Sequence, residues 1–380
     1  NNMPLVEMIG MTPCNKNFLI AYAIVNNETE YSYDWVLQRL RLMLESDKQL
    51  SVIVSDKESG LITPIQRNFP TTPHLLCTWH INRDVEDNVY RLTSKNKIIA
   101  QNFTHGKWKK VVEANTWQKY KDAVEDMIVT YAKFPHVLDY VDKTWLAHKE
   151  KFVKVWTDTV LHFGNTTTCR VESSHATLKR WLETSTGSLD TVWEKIDKEI
   201  ESQLTKVRET LESSRLRMST GYRGFPFEQL KLRVSHYCMD ILNDELQKMR
   251  DFGKDVCDLC DCALKYTHGL PCACDLREAH TEGTQITPND IHRFWSTLSA
   301  SVSGWTDHDY FRRLAEEVEA VDPATIRYLN HVIAAQLHPD EQGYKEPEVK
   351  ENPRGRPKKK NSTKRDPSKW EYTVGGRTAG

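Results

Sequence analysis

Long apolar runs are missing from this chain of 380 residues. None approaches the roughly eighteen consecutive apolar residues that a bilayer crossing needs, so no membrane span is expected. A signal-peptide pattern is missing too. Instead Asn1-Asn2-Met3 leads almost at once into an apolar strand, an opening that reads as a sequence cut from something longer. Acidic residues are absent between Pro353 and Arg365, where seven basic residues lie. The net charge of -1 therefore hides a basic tail on a net acidic body. Such a tail suggests a polyanion partner, with nucleic acid foremost. Cysteine is scarce along most of the chain, yet five of the nine fall between Cys257 and Cys274. Tight clustering without a secretion signal suggests a metal site in a reducing compartment rather than a disulfide framework.

What is present reads as a globular protein of two or three domains, with 39% apolar and 28% charged residues. Residues 4–10 and 18–25 are expected to be buried strands joined by a loop at Thr12–Asn17. A helix is expected over Asp34–Leu44, a strand over Ser51–Ser55, a helix through Leu61 to Phe69, and a strand over His74–Trp79 that runs into a helix. This succession predicts an α/β arrangement with a sheet covered on both faces. From residue 81 to 165 the spacing becomes helical, with Trp108, Trp117, Tyr120, Tyr131, Trp145 and Trp156 and no convincing strand. Leu189, Val192, Trp193, Ile196, Ile200, Leu204, Val207 and Leu211 mark one long amphipathic helix. A coiled coil, and with it a homodimer, is an open alternative that too few heptads support. Phe311–Leu337 reads as helical, and residues 341–380 as a disordered, basic, proline-containing tail.

Two acids stand out. Asp56 ends a buried strand, where α/β sheets present side chains to ligands, although Asp is equally at home there as a helix N-cap. Glu172 shares a helical stripe with His175, Ala176 and Lys179, while Val171, Leu178 and Leu182 fall on the buried side. Pattern alone reads that stripe as a solvated face. Cys77 and His80 form a Cys-x-x-His pair, which supplies only two of the four ligands a zinc ion takes. A buried structural Cys77 and a His80 that supports the carboxylates or touches DNA is the preferred reading.

The runs Val54-Ser-Asp-Lys-Glu-Ser-Gly-Leu61, Asn68-Phe-Pro with His74-Leu-Leu-Cys-Thr-Trp-His-Ile-Asn82, and Arg170-Val-Glu-Ser-Ser-His-Ala-Thr-Leu-Lys179 together resemble the transposase domain of Mutator-like elements. The resemblance covers roughly residues 1–185, in order. It implies an RNase-H-like catalytic domain with a mixed sheet and a helical insertion, followed by a mostly α region with a small zinc module. It implies that Asp56 and Glu172 are the second and third acids of an Asp-Asp-Glu triad, with Cys77, His80 and His175 close by. Such a site cuts and rejoins phosphodiesters with two Mg²⁺ (or Mn²⁺) ions about 3.5–4 Å apart, clamped by carboxylates. In the family the first Asp lies on the strand just before the segment Asn2–Val6. The expectation is therefore that this polypeptide is inactive as given. Glu7 lies mid-strand, and Glu28 and Glu30 are read as structural.

Cys260-Asp-Cys262 and Cys272-Ala-Cys274 place paired thiols at both ends of a short segment, a set suited to a tetrahedral Zn²⁺. The segment resembles the SWIM zinc finger, with Cys274 where that family has His. Cys257 and His268 are alternative ligands. Four ligands leave no open position, so the expected role is structural, or DNA- or protein-binding. Pro353-Arg-Gly-Arg-Pro357 followed by Lys358, Lys359 and Lys360 resembles the AT-hook core. There Arg354, Gly355 and Arg356 would enter an A/T-rich minor groove of double-stranded DNA. A polybasic nuclear-localisation tail is the alternative, and both readings imply a nuclear protein.

The expected division is an RNase-H-like core at 1–80, the insertion at 81–165 and the final catalytic helix at 166–183. Then come a helical region at 184–250, the zinc module at 251–282, a further helical region at 283–340 and the tail at 341–380. The rival class is a non-catalytic DNA-binding transcriptional regulator descended from such a transposase, like the far-red-impaired-response proteins of plants. A polynucleotide hydrolase of the same fold accounts less well for the zinc module and the tail.

Overall fold

Apolar alternation near the start of the chain produces two antiparallel strands, β1 (Leu5–Met11) and β2 (Asn17–Ile24). Their register runs from Leu5 opposite Ile24 to Met11 opposite Asn17, with a shift between Met8 and Ile9. This is a computed structural model, and it describes residues 4–44, 50–182, 189–217, 224–256 and 260–298. Cys257, the helix expected over Phe311–Leu337 and the basic tail with Arg354, Gly355, Arg356, Lys358, Lys359 and Lys360 lie outside the described residues.

Thr29 caps helix α1 (Glu30–Met43), its hydroxyl accepting from the Ser32 N–H. Strand β3 (Ile53–Ser55) follows, then α2 (Ser59–Asn68) and β4 (His74–Leu76). β3 and β4 pair in parallel, Ser55 opposite Leu76. Leu37, Leu40, Ile65 and Phe69 form a core against Met8, Ile20 and Ile53, so α1 and α2 pack on residues of both strand pairs. Among the described residues the strands pair as two separate two-stranded ribbons, β1 with β2 and β3 with β4. The apolar pattern that locates each strand says nothing of its neighbour, so a single continuous sheet was more than that pattern could specify.

The strand expected over His74–Trp79 ends three residues early. Cys77 caps helix α3 (Thr78–Leu92), and its backbone N–H still reaches Ser55 O at 2.8 Å, so the chain turns from ladder to helix at that residue. Beyond it, helices α4 (Lys97–Asn102), α5 (Lys109–Val112), α6 (Trp117–Thr130), α7 (Pro135–Thr144) and α8 (Lys154–Thr157) pack about their own core. Trp108 is its fully buried centre, with its indole N–H donating to Asn82 Oδ1 at 2.9 Å. Truncating such a residue to Ala typically costs about 3–5 kcal/mol.

Helix α9 (Cys169–Leu182) returns the chain to β1, and α10 (Leu189–Leu216) packs on α9 and β2. A further core then gathers Phe227, Leu230, Leu242, Leu270, Leu276 and Trp295. It is framed by α11 (His236–Phe252), the short α12 (Ala263–Thr267) and α13 (Ala273–Glu282). No described helix is long and apolar enough to cross a membrane.

Candidate metal centres

Parallel pairing of β3 and β4 sets two chemically useful residues side by side. Asp56 follows the last residue of β3 and Cys77 the last residue of β4, at the carboxyl ends where ligands bind to such sheets. His80 stands one helical turn after Cys77, in the first turn of α3. Its Nδ1 lies 2.7 Å from Asp56 Oδ1 and its Nε2 lies 3.5 Å from Glu172 Oε1. One imidazole therefore touches both carboxylates that the sequence singles out.

The third element enters from α9. Thr168 precedes that helix, and its carbonyl accepts from the Glu172 N–H at 3.1 Å. Its hydroxyl meets Asp56 Oδ1 at 3.0 Å, His80 Nδ1 at 3.2 Å and Cys77 Sγ at 3.3 Å. Thr168 is thus the knot of the site, although the Thr166-Thr-Thr168 run looks like plain loop. The only sequence signal for it is the general preference for Thr just before a helix.

Burial pulls the His80 pKa down, but contact with Asp56 and with Cys77 outweighs this and lifts it to about 10. For Cys77, burial pushes the thiol up, yet hydrogen bonds from His80 and Thr168 bring it below its ordinary value. A charged imidazole between carboxylates marks a place that favours positive charge. Glu172 Oε1 has no hydrogen-bond partner although solvent does not reach it. The ligand atoms of Asp56, Cys77 and His80 lie within 4.8 Å of one another. The donor set fits a cation, and the Asp56 and Glu172 side chains remain 49% and 36% exposed, so a substrate can approach. Cys77, at 1% exposure, is a buried residue that accepts from the Thr168 backbone N–H at 3.2 Å. His175 lies one turn further along α9, half-buried, its pKa lowered by burial and by Lys179.

Glu7 belongs to different company. Its carboxylate accepts from Tyr22 Oη at 3.3 Å across the β1–β2 ribbon. Burial raises its pKa, opposed by Ser174 and Tyr22 and assisted by Glu199. Ser174, on the inner face of α9, and Glu199, on α10, are buried residues that the sequence pattern did not mark. Glu30 pairs with Arg67 at 2.9 Å, an exposed contact on the outside of α1.

The cysteine module is built locally. Cys262 takes a left-handed conformation that starts α12, and Cys272 caps α13 with its backbone N–H on Asp275 Oδ2 at 3.1 Å. Behind it, the buried Glu245 of α11 accepts from the Ala273 N–H at 3.0 Å. Cys260, Cys262, Cys272 and Cys274 bring their sulfur atoms within 4.8 Å of one another, a cluster that can hold a metal ion. Burial raises the Cys260 thiol, but backbone and thiol hydrogen bonds from Cys262 and Cys274 leave it below its ordinary value. Cys272 is pushed up to about 12, first by burial and also by Asp275. His268 points away from this cluster. Its Nδ1 meets Thr267 Oγ1 at 2.8 Å, its ring stacks on Trp295, and burial lowers its pKa to about 4.

Residues 1–84 match the family described as the MULE transposase domain. That segment contains Asp56, Cys77 and His80 and stops well before Glu172. Two curated proteins are similar. The PKS-NRPS hybrid synthetase cheA of Chaetomium globosum is 20% identical, over 77% of this chain and 7% of that protein. The transposase for insertion sequence element IS905 of Lactococcus lactis subsp. lactis is 25% identical over 137 residues, 36% of this chain and 33% of that protein. The chain thus spans a small fraction of the first and about a third of the second. Residues 1–84 are similar to a MULE transposase domain, and a transposase-family function is the one these likenesses support.

Proposed function

We propose that this chain is the catalytic and zinc-binding part of a Mutator-like DNA transposase, with an RNase-H-like body whose Asp56 and Glu172 bind divalent metal ions at a phosphodiester. One observation carries the reading. Two acids far apart in sequence, one closing β3 and one in the first turn of α9, meet a single imidazole. Bound Mg²⁺ or Mn²⁺ would supply Lewis acidity for in-line attack on phosphorus and for stabilising the leaving oxygen. Asp56 and Glu172 would hold the ions. Thr168 fixes the Asp56 carboxylate and the start of α9 together. His80, beside both carboxylates, would turn its positive charge toward the DNA phosphate. Zn²⁺ held by the SWIM-like set Cys260, Cys262, Cys272 and Cys274 would be structural, since four thiolates would leave no open position. The tail at Pro353–Arg365 binds the A/T-rich minor groove as an AT-hook and directs the protein to the nucleus.

The test replaces Mg²⁺ with Fe²⁺ and generates hydroxyl radicals with ascorbate and peroxide. Backbone scission is expected near Asp56, His80 and Glu172 together, and Asp56→Asn should abolish all three cuts. Scattered scission, or cuts that persist in Asp56→Asn, would refute a shared site. In DNA nicking assays, any metal-dependent product should disappear in Asp56→Asn and in Glu172→Gln. DNA binding that persists with the radical cuts missing selects the non-catalytic regulator instead.

A further inference from the structure

The loop that delivers Thr168 and Glu172 is anchored in the cysteine module. Phe163 is 7% exposed, and its ring lies in the same core as Leu270, Leu276 and Trp295. Ring centroids stand 4.3 Å from Phe294 and 5.7 Å from Trp295. The Phe163 N–H donates to Thr267 O at 2.8 Å. Thr267 ends α12, midway in sequence between Cys262 and Cys272, so two of the four cysteines bracket the carbonyl that holds Phe163.

Phe163 pays for this seat with a positive φ of 51°, followed by Gly164 at 82°. A bulky residue in the left-handed region is strained and persists only where its surroundings over-determine it. Here the surroundings are Thr267 O of the module and the Phe294–Trp295 wall that follows it, tied to the module by the Trp295 indole N–H donating to His268 O at 2.7 Å. Gly164 is tight as well as left-handed, since a Cβ there would stand 3.2 Å from His268 Nε2.

Only a few residues further on, the same loop is pinned to the catalytic body. Thr166 O accepts from the Thr78 N–H at 3.2 Å, at the start of α3. Thr168 then binds Asp56, Cys77 and His80 as described. Asn165 and Arg170 tie the loop and the first turn of α9 to each other, and Arg170 also reaches Asn17 Oδ1 at 2.7 Å. A segment this short, fixed at both ends, cannot absorb a shift of one end without moving the other.

We infer that Phe163 is a positioning residue through which metal binding at the four cysteines sets the geometry of the Asp56–Glu172 site. With the module closed by its metal, α12 offers Thr267 O and steadies the Phe294–Trp295 wall against Phe163, and α9 starts where Glu172 faces His80. With the module open, Phe163 loses its seat, relaxes out of the left-handed region and releases Thr168. The inference rests on the proposed reading of Asp56 and Glu172 as a divalent-cation site. One of its two readouts is independent of that reading.

The experiment compares zinc-loaded chain, zinc-depleted chain and zinc-loaded Phe163→Ala, with Phe163→Leu as the conservative rescue. Amide hydrogen exchange over residues 162–176 and Mn²⁺ affinity are both measured, and zinc content is checked by metal analysis. Zinc depletion and Phe163→Ala are each expected to speed exchange at the start of α9 by at least about tenfold and to weaken Mn²⁺ binding by a similar factor, as for a residue whose seat stabilises a local unit. Phe163→Ala should keep its zinc, and Phe163→Leu should recover most of both readouts. Should Phe163→Ala not fold, Phe294→Ala removes the nearest wall of the seat and is expected to give the same pair of changes. A zinc-loaded variant with parental exchange over 162–176 would overturn the inference. If Mn²⁺ binding is indifferent to Asp56→Asn, the carboxylate reading fails, while the exchange data still decide the coupling.

Discussion

The two candidate metal centres are built on opposite plans. The cysteine cluster draws all its ligands from one short stretch, and nearby backbone and Asp275 contacts shape it. The Asp56–Glu172 site is gathered from β3, β4, α3 and α9, and only folding brings it together. The first is closed by four sulfurs, whereas the second leaves its carboxylates partly exposed. Closure suits a structural ion and exposure suits a reacting substrate. The difference also predicts how each site fails: the local one by losing its ion, the assembled one by losing its scaffold.

The largest effect should come from the local site. Chelating zinc, or Cys272→Ser, is expected to abolish cooperative unfolding of residues 224–298, because structural zinc contributes about 10–16 kcal/mol in small modules. Metal analysis should find one zinc per chain. A module that melts normally without the metal would remove the contrast between the two centres.

Acid should strike the assembled body. His74 is buried beneath the Asp56 site, its Nε2 2.9 Å from Ser55 Oγ and its Nδ1 3.1 Å from Lys151 Nζ. Burial, then the Lys151 charge, lowers its pKa to about 4. The folded value lies below the unfolded value near 6.5, so the unfolded chain takes the proton first as pH falls. The stability this gives is therefore complete above about pH 6.5 and is lost between there and about pH 4, on the order of 3 kcal/mol in all. Denaturant melts across that window should show the slope, and His74→Gln should flatten it. An unchanged slope in the variant contradicts the assignment.

The smallest of these effects concerns the knot. Thr168→Val leaves Asp56 and Cys77 without its hydroxyl and should cost about 1–3 kcal/mol in thermal unfolding, with Thr168→Ser near parental stability. Equal stability of the Val and Ser variants would show that the hydroxyl does not hold the site.

Legibility followed the same division. Clustered thiols at short spacing stand out in sequence because chain connectivity alone keeps their ligands close. β2 was readable over Phe18–Val25 from its unbroken apolar run, and the structure sets it at Asn17–Ile24. α10 followed from its apolar period and extends beyond the expected end at Leu211 to Leu216. Asp56 and Glu172 were visible as residues, but what linked them was a family resemblance, since no local pattern reports a meeting between β3 and α9. Thr168, Ser174 and Phe163 went unmarked because their roles lie in tertiary contacts. The early end of β4 at Leu76 was missed because Cys-Thr-Trp-His carries no strong helix-start signal.

The central claim is that Asp56 and Glu172 serve one divalent-cation site, and a double-mutant cycle on Mn²⁺ binding tests it most directly. Calorimetric titrations of the parent, Asp56→Asn, Glu172→Gln and the double variant would supply the four affinities. Each single change should weaken binding by about tenfold or more, and the double variant should be little worse than either, because removing one ligand disables the site that the other serves. Losses that simply multiply, or affinities indifferent to either substitution, would mean that the two carboxylates do not share an ion.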